Sequence, residues 1–186
     1  MGKLASGPAE VLSLPEYKTF DLRFTKTAGL LRIPETLRFR ETILQSAIRR
    51  YLMVEGSLRM LLTAANLSEE LAGGLEVLGE KALTQGHIDL LLKQRVPIGS
   101  SLKIPIEVKT AKANLEDLAQ LRGYMDELLE ECTTGILIAA EFSKDTIRSA
   151  PEKGIHLVQY GLDVNLKQAS TFEEISAGLN LRVLEK

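Results

Sequence analysis

Two short segments, residues 86–89 and 106–109, place charged side chains within otherwise apolar strands. The first, Gly-His-Ile-Asp, ends an apolar stretch on an aspartate, and the second, Ile-Glu-Val-Lys, alternates apolar and charged residues. Because alternate residues of a strand share a face, Glu107 and Lys109 project together. The apolar residues of the second strand project to the opposite side: Ile104, Ile106 and Val108. The pattern predicts a strand with a carboxylate and an ammonium on one face, and a nearby strand that ends in Asp89.

This set of charges indicates a particular chemistry. Two carboxylates and an ammonium held in this way can bind a divalent metal ion and activate a water for phosphodiester cleavage. The chain shows no Ser/His/Asp nucleophile arrangement and no glycine loop of the kind that cradles phosphates. Aromatic residues make up 5% of the chain and tryptophan is absent, which disfavours recognition by base stacking.

Hydrophobic periodicity predicts a mixed α/β fold. A long helix is expected to begin at Pro34, to kink at Gly56 and to end or break between residues 66 and 74. Strands are expected at 20–25, 75–78, 88–92, 102–109, 135–140, 155–160 and 179–184. Further helices are expected at 144–149, at 172–177 and from an Asn114 cap to about Glu131. This order predicts a mixed β-sheet with flanking helices, preceded by an irregular arm at residues 1–15.

Charge is unevenly distributed along the chain. The net charge is −2, but residues 1–60 carry ten Lys/Arg against six Asp/Glu, hence +4. Any surface that faces DNA is therefore expected in this first third, where phosphate contacts are predicted for Arg38, Arg40, Arg49 and Arg50. A solvated helix face gives a similar local excess of basic residues.

Composition also bears on location. Cys132 is the one cysteine of the chain, which excludes an intramolecular disulfide, a thiolate zinc site and a four-cysteine iron–sulfur cluster. The N-terminus lacks a basic segment followed by an apolar run, and no long uncharged apolar stretch occurs. An intracellular, cytoplasmic protein that does not enter the membrane is expected.

The order of these elements resembles that of a known family. A long helix, a Gly-x-x-Asp strand, a Glu-x-Lys strand and then a helix with Gln120 and Tyr124 resemble the PD-(D/E)xK nuclease superfamily over roughly residues 37–160. Residues 75–80, leading into 86–91, most resemble archaeal Holliday-junction resolvases and mismatch-type endonucleases. The resemblance implies a restriction-endonuclease-like fold, in which a mixed central sheet is flanked by helices.

The resemblance also implies roles for individual residues. Asp89 and Glu107 would bind Mg²⁺ or Mn²⁺, with the main-chain carbonyl of Val108 as a further oxygen ligand. Lys109 would help to activate or orient the attacking water. Gln120 and Tyr124 lie on one helical face. Either alone is more typical of an ordinary helix, but together they favour a catalytic role for Gln120 and a DNA contact for Tyr124.

The long helix offers a further carboxylate. Glu41 and Glu55 fall on its apolar side, where a carboxylate is costly unless it is paired or bound to metal. Related nucleases often supply an acidic residue from this helix, and Glu41 is the better candidate because Glu55 precedes the expected kink. The equal alternative is that one of them pairs with an arginine such as Arg38 or Arg59.

Two residues near Asp89 complete the candidates. Glu80 is a candidate metal ligand, because related endonucleases place a carboxylate on the strand before the Gly-x-x-Asp strand. His87 shares strand parity with Asp89, so it is either a DNA-contacting residue or an ordinary strand residue.

Pro105 departs from the expected pattern. A central strand normally needs every N–H, so this proline requires a bulge or an unpaired position. If the strand has instead drifted from activity, the chain is a catalytically silent nuclease-fold module that binds protein or DNA, as in the similar archaeal TBP-interacting proteins. A third alternative is an α/β domain on which these charges are surface residues.

The sequence therefore predicts a metal-dependent DNA endonuclease. We expect it to act on structured, damaged or foreign DNA in repair, recombination or defence. A homodimer is expected by analogy with resolvases, which cut two strands. Residues 1–36 are predicted to form an N-terminal arm with a short strand, and residues 37–186 the nuclease-like domain.

Overall fold

The structure, a computed structural model, describes residues 22–33, 35–65, 67–84, 86–97 and 99–184. The expected arm at residues 1–15 and the first two residues of the expected strand at 20–25 lie outside this part of the chain. The described α-helices are α1 Glu41–Leu52, α2 Glu55–Ala64, α3 Leu115–Leu128, α4 Lys144–Ser149 and α5 Phe172–Ala177. The described strands are β1 Arg23–Thr25, β2 Thr36–Arg38, β3 Leu75–Leu83, β4 Gly86–Gln94, β5 Lys103–Ala113, β6 Gly135–Phe142, β7 Ile155–Leu162, β8 Ser170–Thr171 and β9 Leu179–Val183.

The main sheet has six strands in the order β3-β4-β5-β6-β7-β9. The hairpin β3–β4 and the pair β4–β5 are antiparallel, β5, β6 and β7 run parallel, and β9 returns antiparallel to β7. The parallel strands are joined through helices, as parallel connections require. The predicted fold class, a mixed α/β sheet flanked by helices, is confirmed.

Apolar residues cover both faces of this sheet. On one face α1 and α2 pack against alternate residues of the central strands, among them Ile104, Ile106 and Val108. On the other face α3 packs through Leu118, Leu121 and Met125 against residues of β4, β6 and β7. Residues 104–108 of the central strand β5 are therefore buried, and Glu107 among them faces a crowded, largely apolar layer.

The N-terminal end of the predicted long helix was wrong. Residues 36–38 instead form β2, which pairs in parallel with β1, and β1 also pairs with β8. The backbone N–H of Phe39 donates to the carbonyl of Thr25 at 2.8 Å, and the buried Phe39 ring anchors the segment. Tertiary pairing thus overrides the local helical spacing, and α1 begins only at Glu41.

The expected kink at Gly56 was also misplaced. The break lies at Met53 and Val54, and Gly56 is inside α2. Glu55 begins α2 and pairs on the surface with Arg59, with 2.5 Å between Oε1 and Nη2. Of the two carboxylates considered for the site, Glu55 thus takes the arginine-paired alternative.

Pro105 occupies an unpaired position. Its partner Leu91 lies between the hydrogen-bonded pairs of an antiparallel ladder, since Gln94 N–H donates to the Leu102 carbonyl and such pairs alternate. The missing N–H of Pro105 therefore faces away from β4. Pairing with β6 begins one residue later, at Ile106, so no ladder bond is lost.

The outer strand β3 is partly covered by arginines. Its carbonyls at Leu75 and Val77 accept hydrogen bonds from Arg95 Nε (2.9 Å) and Arg49 Nε (3.4 Å).

In the part of the chain that the structure describes, no helix is long and apolar enough to cross a membrane.

Helix α3 starts at the predicted cap. The side chain of Asn114 accepts the backbone N–H groups of Glu116 and Asp117, and the Asp117 carboxylate accepts the backbone N–H of Asn114 in return. This reciprocal capping box fixes the first turn of α3 against the end of β5.

We predict that Asn114→Ala destabilises the protein by about 1 kcal/mol, because it leaves donors of the first turn without an acceptor. Asn114→Ser should restore most of the loss. Urea unfolding followed by circular dichroism measures both. An Asn114→Ala midpoint equal to that of the wild type would contradict the capping role.

Candidate active site

The candidate site lies where the pairing of β4 is interrupted on both sides. In the β3–β4 ladder the register is continuous from Gly79↔Leu90 to Lys81↔Ile88, but the intervening position, Glu80 opposite Asp89, is not paired. On the other side, pairing with β5 ends at Leu90↔Ile106. Glu80 has a positive φ of 30°, a conformation that breaks regular strand geometry.

The Asp89 carboxylate takes the place of the missing ladder bond. The backbone N–H of Val108 donates to Asp89 Oδ2 at 2.8 Å. A central strand cannot leave this donor unsatisfied without cost, so the bond fixes the aspartate beside β5. Asp89 is thereby placed next to Glu107, the residue that precedes Val108.

Glu107 and Lys109 share one face of β5, as the strand period predicts. Glu107 Oε1 and Lys109 Nζ are 2.7 Å apart, and the Glu107 side chain is 1% exposed. On the far side of the ammonium, Asp117 Oδ1 of α3 lies 3.7 Å from Nζ. The lysine therefore stands between two carboxylates, one from the strand and one from the first turn of α3.

The ionisation of the buried Glu107 is disfavoured by its surroundings and by the nearby, half-buried Asp89. Burial and the neighbouring charge of Asp89 raise the pKa of Glu107 to about 7, although Lys109 counteracts both effects. Burial also raises the pKa of Asp89, while the Val108 N–H bond lowers it in part and the charge of Glu41 raises it further. Negative charge is therefore concentrated here beyond what a single lysine neutralises.

Lys109 responds in the opposite direction. Burial by itself would lower its pKa, but the hydrogen bond and charge of Glu107, together with Glu41 and Asp117, raise the pKa above its ordinary value. The side chain is therefore an ammonium, able to donate hydrogen bonds but not to accept a proton.

Helix α1 contributes its first turn to the same place. Glu41 Oε2 accepts the backbone N–H of Thr110 at 3.4 Å, and Gln45, one turn further along α1, lies near enough to Asp89 to lower the pKa of its carboxyl slightly. Tyr160 of β7 donates its hydroxyl to the Thr110 carbonyl at 2.7 Å. Sequence reasoning found Glu41 but missed Gln45. The signal was its spacing, since i and i+4 residues share a helical face.

Gln120 and Tyr124 contact each other. Gln120 Nε2 donates to Tyr124 Oη at 2.8 Å, and the tyrosine is 3% exposed. The hydroxyl of Tyr124 lies against Gly86, where a Cβ would stand 2.9 Å from it. Tyr124 is thus packed under the start of β4, whereas the α3 residue in contact with Lys109 is Asp117, which sequence reasoning missed because it reads as an ordinary capping residue.

Four of the remaining predicted residues are exposed. His87 is exposed, next to the buried Ile88, and Glu80 is exposed opposite Asp89. Arg38 is exposed on β2, and Arg40 is the exposed residue that precedes α1.

The other two predicted DNA-contacting arginines, Arg49 and Arg50, form contacts with other residues of the chain. Arg49 reaches the β3 carbonyl described above. Arg50 pairs with Glu173 at 3.3 Å and lies over the Phe172 ring, 5.6 Å from its centroid.

The donor set fits a hard divalent cation. Within the described residues, no three His, Cys, Asp or Glu side chains are grouped so as to hold a metal ion. Mg²⁺ commonly uses only one or two carboxylates and fills its other positions with waters and substrate phosphates. Asp89 and Glu107 can supply these two carboxylates. Glu107 Oε2 is buried and, in this part of the chain, has no hydrogen-bond partner. A cation would satisfy that oxygen.

The chain matches one family model and, over part of its length, several solved structures. Residues 55–174, more than half of the chain, match the family model of the Endonuclease NucS C-terminal domain. A crystal structure of a repair endonuclease from Pyrococcus abyssi matches with 24% identity and a TM-score of 0.39, covering 45% of this chain and 37% of that one. A structure of an EndoMS–dsDNA2 complex matches with 24% identity and a TM-score of 0.38, covering 45% of this chain and 35% of that one. The chain thus spans less than two fifths of these structures' length. No curated protein matches.

We predict that ionisation of Glu107 weakens the folded state. Between its ordinary pKa of 4.5 and about 7, the unfolded chain releases this proton while the folded protein retains it. The free energy of unfolding should therefore fall as pH rises through this window, by up to about 1.4 kcal/mol per pH unit. Glu107→Gln should lack this dependence and be the more stable protein at pH 8. Urea unfolding in EDTA from pH 4 to 9 measures it.

The matched control for this prediction is Glu76→Gln. Glu76 lies on β3 and forms an exposed pair with Lys93, 4.0 Å apart, so it has the same chemistry without the burial. It should keep the wild-type pH profile. Equal profiles for Glu107→Gln and the wild type would contradict the electrostatic account.

Proposed function

Because the chain belongs to the Endonuclease NucS C-terminal domain family, we propose that it is a metal-dependent DNA endonuclease that hydrolyses phosphodiester bonds. The observation that carries the proposal is the meeting of Asp89, Glu107 and Lys109 at the break in the β4 pairing. Substrates are structured, damaged or foreign DNA, in repair, recombination or defence.

In this proposal Asp89, Glu107 and the Val108 carbonyl hold Mg²⁺ or Mn²⁺, with Glu80 as a further carboxylate at the rim. The cation, when bound, stabilises the charge that builds on the phosphate and lowers the pKa of the attacking water. Lys109 is an ammonium at this point and donates a hydrogen bond that orients the water. Glu41 adds negative charge from α1, and Gln120 supports the reaction from α3.

Recognition of DNA is assigned to the basic residues around the site. Arg38 and Arg40 project from β2 and the start of α1, and Arg49 and Arg50 lie further along α1. His87, which is exposed, is proposed to contact DNA near Asp89. Tyr124 was expected to contact DNA as well, but it is buried, so we propose that it acts by holding Gln120 through its hydroxyl. We also propose a homodimer, which would allow both strands to be cut, and the division of the chain at residue 36 into arm and nuclease domain.

We predict that Lys109→Ala lowers the rate of Mn²⁺-dependent cleavage by roughly 100-fold or more, because the water loses its positioned donor. The matched control is Lys93→Ala, which removes the lysine of the ion pair between Lys93 of β4 and Glu76 of β3. It should leave the rate unchanged. The assay uses branched, mismatched, single-stranded and plain duplex DNA, with Mg²⁺, Mn²⁺ or EDTA.

Two results would go against the proposal. Undiminished cleavage by Lys109→Ala would exclude this site. If the wild type cleaves none of the four substrates with either metal, the chain is instead a nuclease-fold module that binds without cutting.

We predict that Arg38→Ala and Arg40→Ala each weaken DNA binding and reduce its dependence on salt by about one ion per arginine lost. Arg148→Ala is the comparison, because Arg148 lies on α4, pairs with Asp145 at 2.8 Å and is not among the residues assigned to DNA contact, and it should leave binding unchanged. Fluorescence anisotropy with labelled duplex at several salt concentrations, in EDTA, measures the slopes. Equal slopes for all three variants and the wild type would place the DNA surface elsewhere.

A further inference from the structure

Asp117 has two separate contacts, one for each carboxylate oxygen. Oδ2 accepts the backbone N–H of Asn114 at 2.8 Å and so closes the capping box of α3. Oδ1 faces Lys109 Nζ at 3.7 Å. The first contact fixes the carboxylate in space, because the helix start holds it. The second places a fixed negative charge beside the ammonium.

Lys109 needs such a second partner if Glu107 is to bind a cation. In the structure the ammonium lies 2.7 Å from Glu107 Oε1 and the Lys109 side chain is 22% exposed, so water replaces a lost partner only in part. A cation on Glu107 would draw charge away from that pair and would repel the ammonium. Asp117 offers the ammonium an anion that does not compete for the cation.

We propose that Asp117 is a positioning residue that holds Lys109 between strand β5 and helix α3, so that Glu107 remains available to a divalent cation. The inference rests on the proposed function. It adds a residue that acts through Lys109 and touches neither cation nor DNA, and it gives the capping box a second role beyond starting the helix.

The experiment separates the two contacts of Asp117. Asp117→Asn keeps an oxygen that can accept the Asn114 N–H but removes the charge that faces Lys109. The control is Glu174→Gln, at the same position of the α5 capping box, where Glu174 Oε2 accepts the Thr171 N–H at 2.8 Å. Both variants remove one negative charge from a capping box, and only Asp117 has a lysine of the site beside it.

Mn²⁺ binding without DNA, measured by calorimetry, is the first readout. We expect Asp117→Asn to raise the Kd for Mn²⁺ roughly three- to tenfold, because the ammonium then remains closer to Glu107. In cleavage assays kcat should fall while KM for DNA stays the same. Asp117→Glu should restore part of both losses, and Glu174→Gln should change neither.

Wild-type Kd and kcat values in Asp117→Asn would overturn the inference, as would equal changes in Glu174→Gln. An Asp117→Asn variant that is destabilised in urea but has a wild-type Kd would show that the residue only caps the helix, which also overturns it. A wild type that binds no Mn²⁺ and cleaves no DNA would overturn the proposed function itself, and the inference with it.

Discussion

The hydrogen bond from the Val108 N–H to the Asp89 carboxylate is the interaction on which the rest of the site depends. It lets β4 separate from β5 in the middle of a sheet without leaving a buried donor unsatisfied. Because the acceptor is a side chain, the separation brings a carboxylate inward. Because Val108 follows Glu107 in β5, the Asp89 carboxylate lies beside the Glu107 carboxylate. The fold and the concentration of negative charge therefore have one cause.

This arrangement is costly in the absence of a cation. Two carboxylates and one ammonium are held between apolar layers, and burial raises the pKa of both acids. Removing the lysine from this cluster would leave uncompensated negative charge, whereas neutralising Glu107 would remove a repulsion and stabilise the folded state. Stability and cation binding thus set opposite demands on Glu107. Sites that retain groups of this kind commonly do so for function, since a packed apolar residue would be the more stable choice.

Sequence reasoning succeeded where a local period or a cap decides the structure. The two-residue period of β5 placed Glu107 and Lys109 on one face, and Asn114 marked the start of α3. It failed where distant pairing decides the structure, since residues 36–38 have helical spacing but pair with β1 as a strand. It also failed at the break between α1 and α2, because Met53 and Val54 are neither glycine nor proline. Gln45 and Asp117 were missed because each has a plain local reading, and only the packing of α1 and α3 around β5 brings them to the charges.

Arg49 and Arg95, which donate to carbonyls of β3, restrict how a second molecule can pair with this outer strand. An outer strand with free carbonyls is a template for a further strand, and hence for aggregation or edge-to-edge assembly. At Leu75 and Val77 the guanidinium groups of Arg95 and Arg49 occupy those acceptors. These carbonyls of the outer strand are thereby unavailable to the backbone of an added strand. A second molecule that binds this stretch has to contact its side chains.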